Sequence, residues 1–158
     1  MMREKYQNRE TEMALNVVNG AINSVRTNNI LKTGCRIFQD NKIGVAGCFG
    51  EASEYTWQLA KKHIQNGISY PWPLTRGIRR ERDKREEQLS DNEYLKRAEG
   101  FLDILKKRFP YLMFSNKMRR VEIETKLSNE LDTMMVHKDR YYTAELIFKG
   151  IDSVNVID

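Results

Sequence analysis

Proline, cysteine and histidine are scarce in this chain of 158 residues, with three, two and two copies respectively. No apolar run approaches the roughly 18 residues that a membrane-spanning helix needs. The two histidines, His63 and His137, fall on separate elements and form no His-Glu-x-x-His or related spacing, which excludes a self-contained zinc hydrolase site of that type. Each reads as a solvated or hydrogen-bonded side chain. Two cysteines cannot build a disulfide framework. The N-terminus, Met1-Met2-Arg3-Glu4-Lys5, is charged and has no apolar segment behind it. No secretory signal is visible, and the chain reads as soluble and cytoplasmic.

What is present suits one domain over residues 1–158. Forty per cent of the residues are hydrophobic and 31% charged, with a net charge of +5. A domain near this length buries roughly 68–70% of its unfolded surface, so a core can form without metal or disulfide. The mild basic excess permits nucleic-acid binding through counterion release but does not demand it, because acidic residues are interspersed throughout.

Met13, Leu15 and Val17 alternate, which predicts a strand over 13–18. Asn19-Gly20 then predicts a tight hairpin turn into a partner strand over 21–26. Further strands are expected over 33–38 and 43–49, joined through Gln39-Asp40-Asn41-Lys42. Ser53 reads as the cap of a helix carrying Trp57, Ala60 and Ile64, stopped at Asn66-Gly67. Tyr70-Pro71-Trp72-Pro73-Leu74 cannot continue a helix or enter a central strand. The charged run from Arg76 to Glu87 lacks an apolar stripe and reads as a loop or solvated turn, with a linker over 76–89. Ser90-Asp91-Asn92-Glu93 is a capping box. Behind it Tyr94, Leu95, Ala98, Phe101, Leu102 and Leu105 share a helix face as far as Pro110. Strands are expected over 121–127, 131–136 and 141–148, with a turn at Ser128-Asn129-Glu130 and a break at His137–Arg140. The order predicts an α+β fold: a mainly antiparallel sheet built from hairpins, with two helices packed on one face.

Candidate chemistry is sparse. A two-residue turn at Asp40-Asn41 sets Cys35 opposite Ala46 and Cys48 on the diagonal, about 7–8 Å away, so two reduced thiols are expected. The sequence offers no further ligands for a metal pair. Gly34, Gly44, Gly47 and Gly50 match no phosphate-binding spacing, and glycines in strands mark bends or close approach. Ser24, Ser53 and Ser128 lack a nucleophile elbow. Arg76, Arg79, Arg80, Arg82 and Arg85 are candidates for holding an anion, although the interleaved acids favour a solvated segment. Tyr70, Trp72 and Leu74 are candidates for an interface, since aromatics are enriched there, or for packing under a local loop. A free edge of an antiparallel sheet can also accept an extended peptide.

One resemblance adds to this reading. Residues Val17 to Val25 resemble the paired strands that open the TldD/PmbA family. The segment Gly34-Cys35-Arg36-Ile37-Phe38-Gln39-Asp40-Asn41-Lys42-Ile43-Gly44-Val45-Ala46 resembles the family's G-x-R-(apolar)-x-x-D-x-(K/R)-x-G-(apolar)-A pattern, followed by a Ser-initiated helix. Leu127 to Asp132 is similar to an N-S-x-G turn, with Asn129 matching, Glu130 where Ser is usual and Asp132 where Gly is usual. Gly150-Ile151-Asp152-Ser153 resembles the end of that N-terminal domain. The resemblance implies a non-catalytic N-terminal domain that walls a peptide-accepting cavity and contributes subunit contacts. Family members resemble zinc metallopeptidases that act as paired subunits on unfolded peptides, with metal-binding histidines in a later His-Glu-x-x-x-His motif. Nothing here matches that motif, so no catalytic residue is carried over, and zinc is expected only in a downstream domain. The implied partners are a second subunit or a catalytic domain, and unfolded peptide. The alternatives are a small basic nucleic-acid-binding protein using the arginine run, or a self-sufficient enzyme.

Overall fold

The two short turns have the backbone their sequences demand. Asn19 and Gly20 adopt φ of +50° and +72°, and Asp40 and Asn41 adopt +51° and +56°. Paired left-handed residues let two right-twisted strands meet without splaying. In this computed structural model, which describes residues 1–85 and 89–152, the turns join β1 (Met2–Val18), β2 (Ala21–Gln39) and β3 (Lys42–Phe49). Gln39 lies opposite Lys42, Cys35 opposite Ala46 and Thr33 opposite Cys48. The expected register holds, and both thiols are free.

The remaining elements are α1 (Glu54–His63), β4 (Arg79–Asp83), α2 (Asp91–Arg108), β5 (Leu112–Asn129) and β6 (Thr133–Gly150). Ser53 Oγ accepts the Thr56 amide at the start of α1. Ser90 and Glu93 satisfy each other's backbone donors at the start of α2, as the capping box predicts. The six strands form one sheet in the order β3-β2-β1-β5-β6-β4. β2 and β3 are antiparallel, and cross-strand bonds from Arg3 to Glu130 and from Asn8 to Thr125 give β1 and β5 opposite directions. β4 runs parallel to β6. Among the described residues the fold is α+β, with a mainly antiparallel sheet and two α-helices.

Three differences from the sequence expectation have physical causes. β1 starts at Met2, because the polar stretch before Met13 alternates and its inward charge is matched: Glu4 is buried and ion-paired to Arg36. The runs over 21–26 and 33–38 are one strand, as are those over 131–136 and 141–148. Backbone pairing to neighbours carries the polar middles, which propensity alone would break. The segment expected as loop or turn contains β4, which has no apolar face and is ordered by its ladder to β6. Glu86, Glu87 and Ser153 lie outside the described residues.

The chain divides into two compact units. One comprises Met1–Thr11, Asn29–Lys84 and Glu122–Asp139; the other comprises Glu12–Asn28, Arg85–Val121 and the chain from Arg140 onward. In the first, Cys35, Ile37 and Ala46 pack with Ala60, Trp57 and Ile64 of α1 and its continuation. In the second, Met13, Leu15, Val17 and Met118 pack with Tyr94, Ala98 and Leu102 of α2. Leu15 and Leu102 are almost wholly buried, each contributing roughly 1.5–3 kcal/mol from burial. Tyr94 gains a second consequence of burial, which pushes its hydroxyl up to about 12 although Arg120 pulls the other way.

In the first unit, Gly44 lets α1 approach β3 closely. A Cβ there would lie 1.9 Å from the Ala60 carbonyl oxygen and 2.8 Å from Ile64. Gly44→Ala is therefore expected to cost about 3 kcal/mol or more, because backbone rather than a flexible side chain must move. Urea unfolding of both proteins measures this, and an unchanged midpoint would contradict the close packing.

Candidate functional site

Between α1 and β4 the chain cannot join a ladder through Pro71 or Pro73, which carry no N–H. It is instead tied at both ends. At one end the Ile43 amide donates to the Ile68 carbonyl at 3.0 Å, and the Tyr70 amide to the Asn41 carbonyl at 2.7 Å. At the other, the Thr75 carbonyl accepts from Asn129 Nδ2 and Thr133 Oγ1, both at 2.8 Å. The Gly77 amide donates to the Leu131 carbonyl at 2.8 Å, and the Met134 amide to Ile78. The proline segment is thus a strap from the β2–β3 turn to the β5–β6 turn.

Under the strap lies a cleft of about 400 Å³, lined by Met1, Met2, Phe38, the Gln39–Lys42 turn and Tyr70 to Leu74. Phe38 and Tyr70 meet edge-on with ring centroids 5.1 Å apart, and Tyr70 and Trp72 do so at 5.3 Å. This ladder runs from the buried Phe38 to Trp72, which is 66% exposed. Such edge-to-face pairs contribute about 0.5–1.5 kcal/mol beyond area burial, so the rings are held in place before any partner arrives. Tyr70, Trp72 and Leu74, the residues singled out as an interface, line one cleft. Met1, Met2 and Phe38 were not singled out. Alternation hid Phe38 as an ordinary strand residue, and only the strap's ties to the turn bring these side chains together. Apolar side chains stand beside the Asp40 carboxylate and Lys42 in this cleft, and no nucleophile–base pair stands among its lining residues.

The arginines are distributed differently. Arg79 is ion-paired with Asp132. Their hydrogen bond, then their charges, hold the Asp132 carboxyl below the usual carboxylate range and raise the Arg79 guanidinium. Arg80 and Arg82 sit opposite Met135 and His137 in the register, on the other face of β4. Glu81 binds Lys138 at 2.6 Å. Arg76 is exposed on the strap, and Arg85 is half-buried beyond β4. Within the first unit, Arg79 and the Arg80–Arg82 pair therefore stand on opposite faces of one strand. Mixed charges along an edge strand also disfavour pairing with another sheet.

The other titratable candidates have local partners. His63 Nδ1 lies 2.6 Å from the Val45 carbonyl oxygen, and His137 lies 3.9 Å from Asp139. Burial, then Cys48, pushes the Cys35 thiol up, away from reactive thiolate character. Among the described residues no three His, Cys, Asp or Glu side chains are placed to hold a metal ion, so they do not fit a zinc site. No helix among them is long and apolar enough to cross a membrane.

No protein-family model and no curated protein sequence matches the chain. Solved structures do. A protein of Thermotoga maritima described as "a putative modulator of a DNA gyrase" superposes with a TM-score of 0.68 at 14% identity, over 98% of this chain and 41% of its own. TldE of Thermococcus kodakarensis gives 0.66 at 14% identity, over 96% and 37%. A "putative modulator of DNA gyrase" of Bacteroides thetaiotaomicron gives 0.60 at 7%, over 90% and 35%. This chain has the fold of part of those proteins. It spans about two-fifths of their length, and the resemblance read from its residues is borne out at the level of the fold.

The turn that anchors the strap carries its own test. Asp132 adopts φ +57° where the resembling pattern has Gly, and Asn tolerates that backbone as well as Asp does. Asp132→Asn thus removes the charge without adding strain. Because the folded carboxyl is held below its ordinary value of 3.8, its stabilising effect is present above that value and is lost as pH falls through the lowered one. Thermal melts should show wild type above Asp132→Asn at neutral pH, with the gap closing in acid and narrowing in salt.

Proposed function

We propose that this chain is a non-catalytic domain of a TldD/PmbA-like protein. Its sheet would wall a peptide-accepting cavity, and the strap cleft would make contact with peptide, a second subunit or a downstream catalytic domain. The observation that carries this reading is the match over 98% of this chain but only 41% of its structural neighbour. The exposed, pre-stacked Tyr70–Trp72 pair supports a contact role, since aromatic anchors held in place before binding lose little entropy. Any zinc and its general base would belong to another domain, and no step of hydrolysis is derived from these residues.

The test is fluorescence anisotropy of a labelled, unstructured peptide of mixed sequence, titrated with the full chain at low and high salt. Binding should be nearly insensitive to salt and should weaken about fivefold or more in Trp72→Ala, the roughly 1–2 kcal/mol carried by an aromatic anchor. A labelled single-stranded oligonucleotide is the competing probe. If it binds more tightly, loses affinity steeply with salt and is released by Arg80→Gln/Arg82→Gln, the nucleic-acid reading replaces this one. Peptide hydrolysis that follows the chain through purification would contradict the non-catalytic assignment.

A further inference from the structure

β6 is covered along its first part and bare along the rest. In the first part the Met134 amide donates to the Ile78 carbonyl at 2.8 Å, and the Lys84 amide to the Lys138 carbonyl at 2.9 Å. Even-numbered residues therefore turn their backbone groups toward β4. Just past the strand the Ile151 amide donates to the Tyr111 carbonyl at 3.0 Å, so odd-numbered residues turn theirs toward β5. The same alternation sends the amides and carbonyls of Tyr142, Ala144 and Leu146 outward. The ladder with β4 stops at Asp83 and Lys138, and among the described residues no strand pairs with the outer side of β6 beyond it.

The side chains along this edge are apolar on both faces. Tyr141, Tyr142, Ile147 and Phe148 are 43–51% exposed. Tyr142 and Phe148 lie on the α2 side, where their rings meet Tyr94 and Phe114 at centroid distances of 5.6 and 5.3 Å. Phe101, about two turns on from Tyr94 in the same row of α2, is exposed beside them, as is Ile104. Tyr141 and Ile147 lie on the opposite face with Glu145, whose carboxylate is ion-paired to Arg119. A bare apolar edge is what monomeric sheet proteins avoid, and the charges of β4 are the usual safeguard.

This stretch is complementary to itself. Antiparallel pairing about a two-fold axis at Ala144 sets Tyr141 of one copy against Ile147 of the other, Tyr142 against Leu146, and Thr143 against Glu145. Aromatic residues then meet aliphatic ones, and no like charges are opposed. An axis at Glu145 would oppose two carboxylates, and one at Leu146 would set Glu145 against Ile147. The outward backbone groups gain partners at a spacing that only another extended strand supplies. The other edge of the sheet is already engaged. On β3 the Ile43 amide donates to the Ile68 carbonyl at 3.0 Å, and the Val45 carbonyl oxygen lies 2.6 Å from His63 Nδ1. Pairing thus closes at two copies instead of propagating.

We propose that the Tyr141–Phe148 edge pairs with the same edge of a second copy of this chain, joining the two sheets across an axis at Ala144. The pairing rests neither on peptide binding nor on the strap cleft.

Sedimentation velocity of the full chain from about 1 to 100 µM tests it. The mass should rise to twice that of one chain with a Kd of about 10 µM or lower, the weak end of the range for protein pairs. Ala144→Lys and Ala144→Glu should each weaken association about tenfold or more, because like charges then meet at the axis. An equimolar mixture of the two should recover it, which requires that position 144 meet itself. Ile147→Lys should weaken it as well, and carries the comparison if the Ala144 variants do not fold. Trp72→Ala should leave it unchanged. A single-chain mass at 100 µM, assemblies larger than pairs, unaltered association in the edge variants, no recovery in the mixture, or loss of pairing in Trp72→Ala would each overturn the proposal.

Discussion

The Asn129 carboxamide is the interaction on which the first unit depends. Its Oδ1 accepts the amides of Leu131 at 2.9 Å and Thr133 at 3.3 Å, while its Nδ2 donates to the Thr75 carbonyl. One uncharged side chain therefore folds the β5–β6 turn and holds the strap to it. No isosteric residue keeps both functions, because Asp lacks the donor and Leu lacks donor and acceptor alike. The positions of β4, of the proline segment and hence of the aromatic cleft follow from this node. Asp132, at the end of the same turn, adds a charge to the node by pairing with Arg79.

The parts of this fold that could be read from the sequence are those with local chemistry. Asn19-Gly20 and Asp40-Asn41 allow few backbone solutions, and Ser53 and the Ser90–Glu93 box name the helix starts in the same way. What could not be read depends on distant partners. Thr27 to Lys32 has no strand pattern of its own, yet it continues β2. Arg79 to Asp83 carries no apolar residue at all and becomes a strand only because β6 lies beside it. The candidate site divides along the same line. Tyr70, Trp72 and Leu74 stand out because two prolines one residue apart exclude helix and central strand, and aromatic residues are enriched at interfaces. Phe38 and the two initial methionines join them through bonds between segments far apart in sequence.

The strap cleft presents stacked rings beside the charged Asp40 and Lys42 side chains. No nucleophile–base pair stands among its lining residues. The fold itself covers about two-fifths of the longer proteins it matches.

The parallel pairing of β4 also bears on how the chain reaches this state. Arg79 lies beside Met134, 55 residues later, so β4 leaves the ribosome long before its partner exists. It cannot form a hairpin with β6, and the closure entropy falls on the final steps of assembly. Alternating Arg, Glu and Asp are suited to that interval, because a segment that waits unpaired is safest when it attracts water more than other strands. The charge that conceals β4 as a strand is thus the property that keeps it available until β6 arrives.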